Sequence, residues 1–313
     1  MTYCVGGQEH MNRANTAKHT DFISYGKKLV GKDPSFGHFF MHTLEATSDD
    51  DLADITPQIY ETILRHSFAR LGHRKKNTHL VNIWSPEANI PHRLQIVDVF
   101  VDDMPFLVDS VLGAIRASGA AIHLISHPIL PVEKKNGQIR VLESMTESAQ
   151  FESFLQIHFD PITDEVALAA LFTELDGVLS EVRRAVAGWR PMLERMHALV
   201  QEYRHSPPEI PKPVFAEALH FLAWLADHNF TFLGMREYQL SSNGKDARLE
   251  TVKDTGLGIL DDPEFNFLRD GTERGEMTEQ HLAFLDNPEP LMVTKANVRG
   301  RVHRRAYLDY IGA

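Results

Sequence analysis

The chain has 313 residues, 43% hydrophobic and 24% charged, with 18 Phe and 3 Trp, which is ample apolar material for packed cores. Its formal net charge of −11 argues against a nucleic-acid partner, because phosphate contacts need a surplus of Lys and Arg on one surface. The one cysteine, Cys4, leaves no internal disulfide and no Cys-based zinc site, and no apolar run reaches the roughly 20 residues of a membrane helix. The length suggests about two to three domains. Residues 1–20 are polar and lack the apolar stretch of a signal peptide, so the expected location is cytoplasmic. Met11 is a second candidate start, with residues 1–10 then an unstructured extension.

Residues 21–46 carry scattered aromatics without a clear period and read as short helices, so segment 1–50 is poorly defined. A helix follows over 57–71. Thr56 suits its N-cap, Pro57 its first position and Gly72 its C′, while Ile59, Ile63, Leu64, Phe68 and Leu71 form one apolar face. Residues 78–84 and 92–101 read as strands joined by a turn over 86–91. In the second, Val97, Val99 and Val101 alternate with Leu94, Ile96 and Phe100, so both faces are apolar, as in an interior strand. Asp102 and Asp103 can cap the next helix, with Pro105 in its first turn. Met104, Leu107, Val108, Val111, Leu112 and Ile115 recur there at helical spacing up to Gly119.

Residues 121–130 return to strand, Asn136-Gly137 signals a tight hairpin leading into 139–142, and 154–159 is a further strand ended by Pro161. A long helix runs from Thr163 towards Ala187 on a stripe of Leu168, Leu171, Leu175, Val178, Val182 and Val186. Gly188 and Pro191 are expected to interrupt it before another helix to about Tyr203. Pro207, Pro208, Pro211 and Pro213 make a stiff linker over 206–213, which separates a module over 51–205 from one over 214–313. The second module reads as a helix over 214–227, strands at 230–240, 248–253, 291–296 and 302–310, a turn at Asn243-Gly244, and an acidic region over 261–289. It is α+β and mostly antiparallel, with a PAS-like sensor fold as the nearest architectural likeness.

In the first module the order strand, helix, strand, strand, helix is the ferredoxin-like βαββα pattern without its last strand. The strand at 78–84 can take that place by pairing antiparallel beside 92–101. The run Asp102-Asp103-Met104-Pro105-Phe106-Leu107-Val108-Asp109-Ser110-Val111 resembles the first turn and helix of the N-terminal ACT-like domain of the large bacterial NAD-specific glutamate dehydrogenases. His127-Pro128-Ile129, Asn229-Phe230-Thr231-Phe232-Leu233-Gly234, Val293-Thr294-Lys295-Ala296-Asn297-Val298-Arg299 and Tyr307-Leu308-Asp309-Tyr310-Ile311-Gly312 resemble the same family in the same order. The resemblance implies an α+β, ACT-type regulatory segment of a dehydrogenase that converts glutamate to 2-oxoglutarate and ammonium. It implies as partners the rest of a parent polypeptide and identical subunits. NAD is implied for the full-length protein and no cofactor for this chain, which reads as a fragment. The alternatives are a free-standing ACT-type amino-acid sensor and an enzyme of another type.

No catalytic constellation emerges from the residues. Gly256-Leu257-Gly258 is followed by Asp261-Asp262-Pro263 rather than by a glycine and a helix, so it reads as a turn and not as a pyrophosphate cradle. His123 and His127 lie on one strand, roughly 13 Å apart at about 3.3 Å per residue, too far to share an ion. His38 and His42 could share a helix face but lack a third ligand, so no metal is expected. Lys295, Arg299, Arg301, Arg304 and Arg305 read as a solvated or internally paired face. There remains one effector-binding candidate, the loop of Asp102, Asp103, Met104, Pro105 and Phe106, where helix N–H groups could receive the carboxylate of a small amino acid. Phe106 stands where many amino-acid-binding ACT domains have Gly, and the paired aspartates repel a carboxylate. Capping and packing are the competing role.

Overall fold

The computed structural model describes residues 6–87, 94–135, 138–207, 209–243, 246–262 and 290–313. Two compact units make up the chain. One combines Met1–Asp103 with Ala114–Asp176, the other Met104–Gly113 with Gly177–Ala313.

The first unit is built on one antiparallel sheet. Its strands are β1 (Leu80–Trp84), β2 (Gln95–Val101), β3 (Ile122–Ser126), β4 (Ile129–Lys135), β5 (Gln138–Val141) and β6 (Gln150–Phe159), in the order β1-β2-β6-β4-β5 with β3 also on β6. β2, β6 and the β3–β4 track reproduce the ferredoxin-like core expected from the sequence. β1 takes the fourth place, with Leu80 opposite Phe100 and Trp84 opposite Ile96. The strand expected over 121–130 is two strands, because His127 and Pro128 interrupt it. A proline has no N–H to offer a ladder, so the chain leaves β6 at Ser126 opposite Gln156 and rejoins it at Ile129 opposite Ser153. β4 and β5 pair as the hairpin signal requires; the Asn136-Gly137 turn itself lies outside the described residues.

One sheet face is covered by helices α1 (Gly6–Lys32), α2 (Pro34–Glu45) and α3 (Pro57–Phe68). Phe22, Leu29, Phe36, Phe39, Phe40, Leu44, Tyr60 and Leu64 from these helices share a buried cluster with Phe100, Leu124, Leu130, Val132 and Phe154 from the sheet. The Phe39 ring lies 5.1 Å from that of Phe154, which stacks on Phe100 at 4.8 Å. Residues 6–10, inside the expected unstructured extension, are therefore helical, and the ill-defined segment before residue 51 is a helical layer. α1 escapes notice in the sequence because most of its length, up to Asp21, is polar. Asp33 caps α2 by accepting from Phe36 N at 3.2 Å, and Thr56 caps α3 from Ile59 N at 3.3 Å. On the other sheet face Val97, Val99, Val101, Leu155, Ile157 and Phe159 are also buried, so β2 is interior on both sides as its sequence predicts.

Helix α4 (Leu107–Ala117) begins two residues later than the Pro105 signal suggests, and α5 (Glu165–His205) runs unbroken through Gly188 and Pro191. Gly188 is not a break but a contact. A Cβ there would collide with the backbone of Gly258, which has φ +63 in the left-handed region.

The second unit adds helix α6 (Lys212–Trp224), which ends in a π-turn at Leu225–Asn229. Its strands are β7 (Gly234–Met235), β8 (Tyr238–Asn243), β9 (Asp246–Thr251), β10 (Leu257–Gly258), β11 (Met292–Arg299) and β12 (Tyr307–Gly312). Among the described residues they form three two-stranded antiparallel ladders, β7–β10, β8–β9 and β11–β12, rather than one PAS-like sheet. Residues 230–233, expected in strand, are not, and the strand expected at 302–310 starts only at Tyr307. Met192, Met196 and Val200 of α5 form this unit's core with Leu222, Leu225, Ala226 and Phe232. Gly244 and residues 263–289, most of the acidic region, lie outside the described residues, as does Cys4.

Candidate functional site

The loop over 102–106 joins β2 to α4, and the chain passes from the first unit to the second between Asp103 and Met104. In the first unit Asp102 is half-buried. It accepts from Arg74 Nη2 at 2.8 Å, and the same guanidinium forks onto Glu152, with Nη2 to Oε2 at 2.7 Å. Arg74 and Glu152 are both buried, and Arg74 also donates to the carbonyl of Thr78 at 3.0 Å. Burial works against the Arg74 charge, yet its hydrogen bonds to Glu152 and Asp102 outweigh it and hold the group protonated. Asp103 is exposed. Its charge opposes the burial that holds His127 below the ordinary imidazole range, and His127 Nε2 lies 2.8 Å from Ser153 Oγ.

In the second unit Met104 and Phe106 are half-buried and Pro105 is exposed. Phe106 has φ +72, so the position favours glycine on backbone grounds alone. Its carbonyl accepts the first helical bond of α4, from Ser110 N at 3.1 Å. The flank of that first turn is occupied by the turn between β11 and β12. His303 N donates to the buried Ser110 Oγ at 2.9 Å, the His303 ring lies 5.2 Å from the Phe106 ring, and His303 Nδ1 stands 3.3 Å from Asp109. Nothing in the sequence points to Arg74, Glu152 or His303 as neighbours of this loop, since the fold alone joins positions so far apart.

The other groups singled out in the sequence have structural partners. Gly256-Leu257-Gly258 leads into a single 3-10 turn at Ile259–Asp261, and Gly258 fits its backbone against Leu233 and Gly188. His38 and His42 both face carbonyls, of Val141 at 3.4 Å and Leu142 at 2.8 Å. His123 pairs with Asp160 at 2.6 Å. Among the described residues no group of three His, Cys, Asp or Glu could hold a metal ion, and no helix is long and apolar enough to cross a membrane. Of the basic residues near the C-terminal end, Lys295 pairs with Asp309 at 2.5 Å, Arg299 lies over the Tyr307 ring, and Arg301 pairs with the buried Glu181.

A second polar cluster, which no sequence signal marks, lies under α3. The fully buried Asp98 accepts from Ser67 Oγ at 2.9 Å, Gln156 Nε2 at 2.9 Å and Trp84 Nε1 at 2.8 Å. Burial pushes its carboxyl up, and these donors oppose the shift. Gln156 Oε1 receives Nε2–H of His158 at 3.1 Å, and burial pushes that imidazole down to about 3. Apart from the half-buried Trp84 the cluster is buried, and it links β1, β2, β6 and α3.

Residues 39–175 match the family described as "Glutamate dehydrogenase, ACT1 domain". The matched stretch runs from α2 through the whole sheet into α5. The NAD-specific glutamate dehydrogenase of Halomonas elongata is 32% identical over 222 residues, covering 69% of this chain and 14% of that protein. That of Pseudomonas aeruginosa is 29% identical over 221 residues, covering 69% and 13%. The chain belongs to the NAD-specific glutamate dehydrogenase family, in its N-terminal region. It spans only about a seventh of the length of these relatives. The 102–106 loop is thus the strand-to-helix loop of an ACT1 domain of this family, built with Phe106 at its left-handed position and with Asp102 already engaged by Arg74.

Proposed function

We propose that this chain is a regulatory and assembly segment for an NAD-dependent glutamate dehydrogenase, which oxidises glutamate to 2-oxoglutarate and ammonium in the cytoplasm. The hydride-transfer site and NAD would belong to other parts of that protein. The observation that carries the reading is the ACT1 match over 39–175, a stretch that contains every strand of the ferredoxin-like sheet and helix α3 of its cover. Its partners would be the remainder of a parent polypeptide and identical subunits. Of the two roles open to the 102–106 loop, packing is favoured over capture of a small amino acid. Asp102 is committed to Arg74, and Phe106 fills the space a glycine would leave open.

The test is made at the native locus. Tagged there, the chain should bring with it NAD-dependent glutamate oxidation, whereas the purified 313-residue chain should reduce no NAD, since hydride transfer needs a bound and oriented dinucleotide. Turnover by the purified chain, or native material devoid of that activity, would contradict the proposal.

A further inference from the structure

We propose that the turn over residues 300–306 is a built-in strap on helix α4. It is closed in this structure, and its release uncovers the first turn of α4 and the carboxylate of Glu181. The inference concerns the second unit alone.

The turn is held from within and tied to two helices. Gly300 N donates to the Ala306 carbonyl at 2.8 Å and Arg304 N to that of Val302 at 2.8 Å, so the turn is preformed. Val302 is buried at its centre. His303 N reaches Ser110 Oγ on α4, and the Arg301 guanidinium reaches Glu181 on α5. Gly177 leaves the space in which the Arg301 guanidinium lies, since a Cβ there would stand 3.2 Å from Nη1. One turn thereby ties the first turn of α4 to α5.

The tie is strained at both ends. His303 has φ +66 and Phe106 φ +72, and their rings face each other. A bulky residue in the left-handed region persists only where its surroundings hold it there, and such positions gather at switches. Here each strained residue is the surroundings of the other. Releasing the strap would relax both backbones at the cost of exposing Val302 and leaving Glu181 without its partner. Two terms of opposite sign thus meet at one turn, which makes it a switching element rather than plain core. A segment or molecule that engages the first turn of α4 must displace residues 300–306 to do so.

Amide hydrogen exchange on the whole chain reads the strap directly. Ser110→Ala removes the acceptor of His303 N without touching the ladders, and should speed exchange across 300–306 roughly five- to tenfold, the weight of one hydrogen bond to a buried hydroxyl. Arg301→Gln, which leaves Glu181 a neutral donor, should speed the same amides at least as much. In both variants the amides of β2 and β6 should keep their wild-type protection. If 300–306 stays as protected as in the wild type in both variants, the hairpin holds its own turn and there is no strap. If exchange rises equally in β11, β12, α6 and the turn, the turn is ordinary core and the proposal also fails. Neither result bears on glutamate oxidation, so the strap and the proposed function stand or fall separately.

Discussion

Phe106 shows how one residue can serve two opposed demands. Its positive φ costs about 1–2 kcal/mol for a residue with a Cβ, while its half-buried ring packs against His303. Phe106→Ala loses the ring and keeps the backbone cost, whereas Phe106→Gly loses the ring and sheds the cost. Thermal unfolding should therefore rank the glycine variant above the alanine variant by about 1 kcal/mol. An alanine variant as stable as the glycine one would mean that the backbone there is not left-handed. His158 gives a second test, through pH. Its folded pKa of about 3 lies below the ordinary 6.5 because the ring is buried. Its contribution to stability is therefore complete above pH 6.5 and is lost as pH falls towards the folded value. From pH 6.5 to 5 the loss is about 2 kcal/mol for one such group. The raised carboxyl of Asp98 acts with the opposite sign, its contribution being greatest below the ordinary 3.8 and lost as pH rises. Urea unfolding at the two pH values should show a smaller acid loss in His158→Gln, which keeps a donor towards Gln156. An unchanged loss would place the proton uptake elsewhere.

Helix α5 carries two residues that weaken helices in general, and its packing separates them. Gly188 faces the backbone of Gly258, so Gly188→Ala gains about 1 kcal/mol of helix propensity but forces two backbones apart, with a net loss of about 1–3 kcal/mol expected from overpacking. Pro191 is exposed inside the same helix. Pro191→Ala restores a bond to the carbonyl of Ala187 and should stabilise by up to about 3 kcal/mol. Opposite changes in melting temperature would confirm the two roles; two shifts of the same sign would not. From the sequence both residues look alike, as punctuation, because the partner that makes Gly188 necessary lies 70 positions away. The same limit explains the rest. β2, α3, α5 up to Ala187 and the β4–β5 hairpin were legible because their signals are local: alternation, a Thr cap, a helical stripe, Asn-Gly. The placing of β1 beside β2 was legible because a short connection leaves few alternatives. α1 was not, since Phe22 and Leu29 matter only once the sheet is beneath them. Of the candidate site the loop itself could be read, whereas Arg74, Glu152 and His303 could not, for each reaches it through tertiary structure.

At the scale of the whole molecule, continuity of chain and continuity of core do not coincide. The Pro-rich stretch marks the end of α5 in sequence, yet Met192, Met196 and Val200, all N-terminal to it, belong to the same core as Leu222, Leu225, Ala226 and Phe232, which follow it. The second unit, besides Met104–Gly113, thus takes in α5 from Gly177 onward, ahead of the prolines. A chain ending at residue 207 would keep the sheet and its helical cover but would leave Met192, Met196 and Val200 of α5 without the core partners that follow the prolines. Each of those residues gives up about 1.5–3 kcal/mol of burial when exposed, more than an isolated helical extension can supply from propensity alone. The expected outcome is a truncated protein in which the first unit keeps its cooperative unfolding while α5 frays beyond about Gly188. Circular dichroism should show fewer helical residues than the sequence up to 207 contributes in the full chain, and proteolysis should cut between 188 and 205. A truncated chain whose α5 resists proteolysis through residue 205 would show that this helix needs no partner from the C-terminal side, and that the prolines are the true boundary after all.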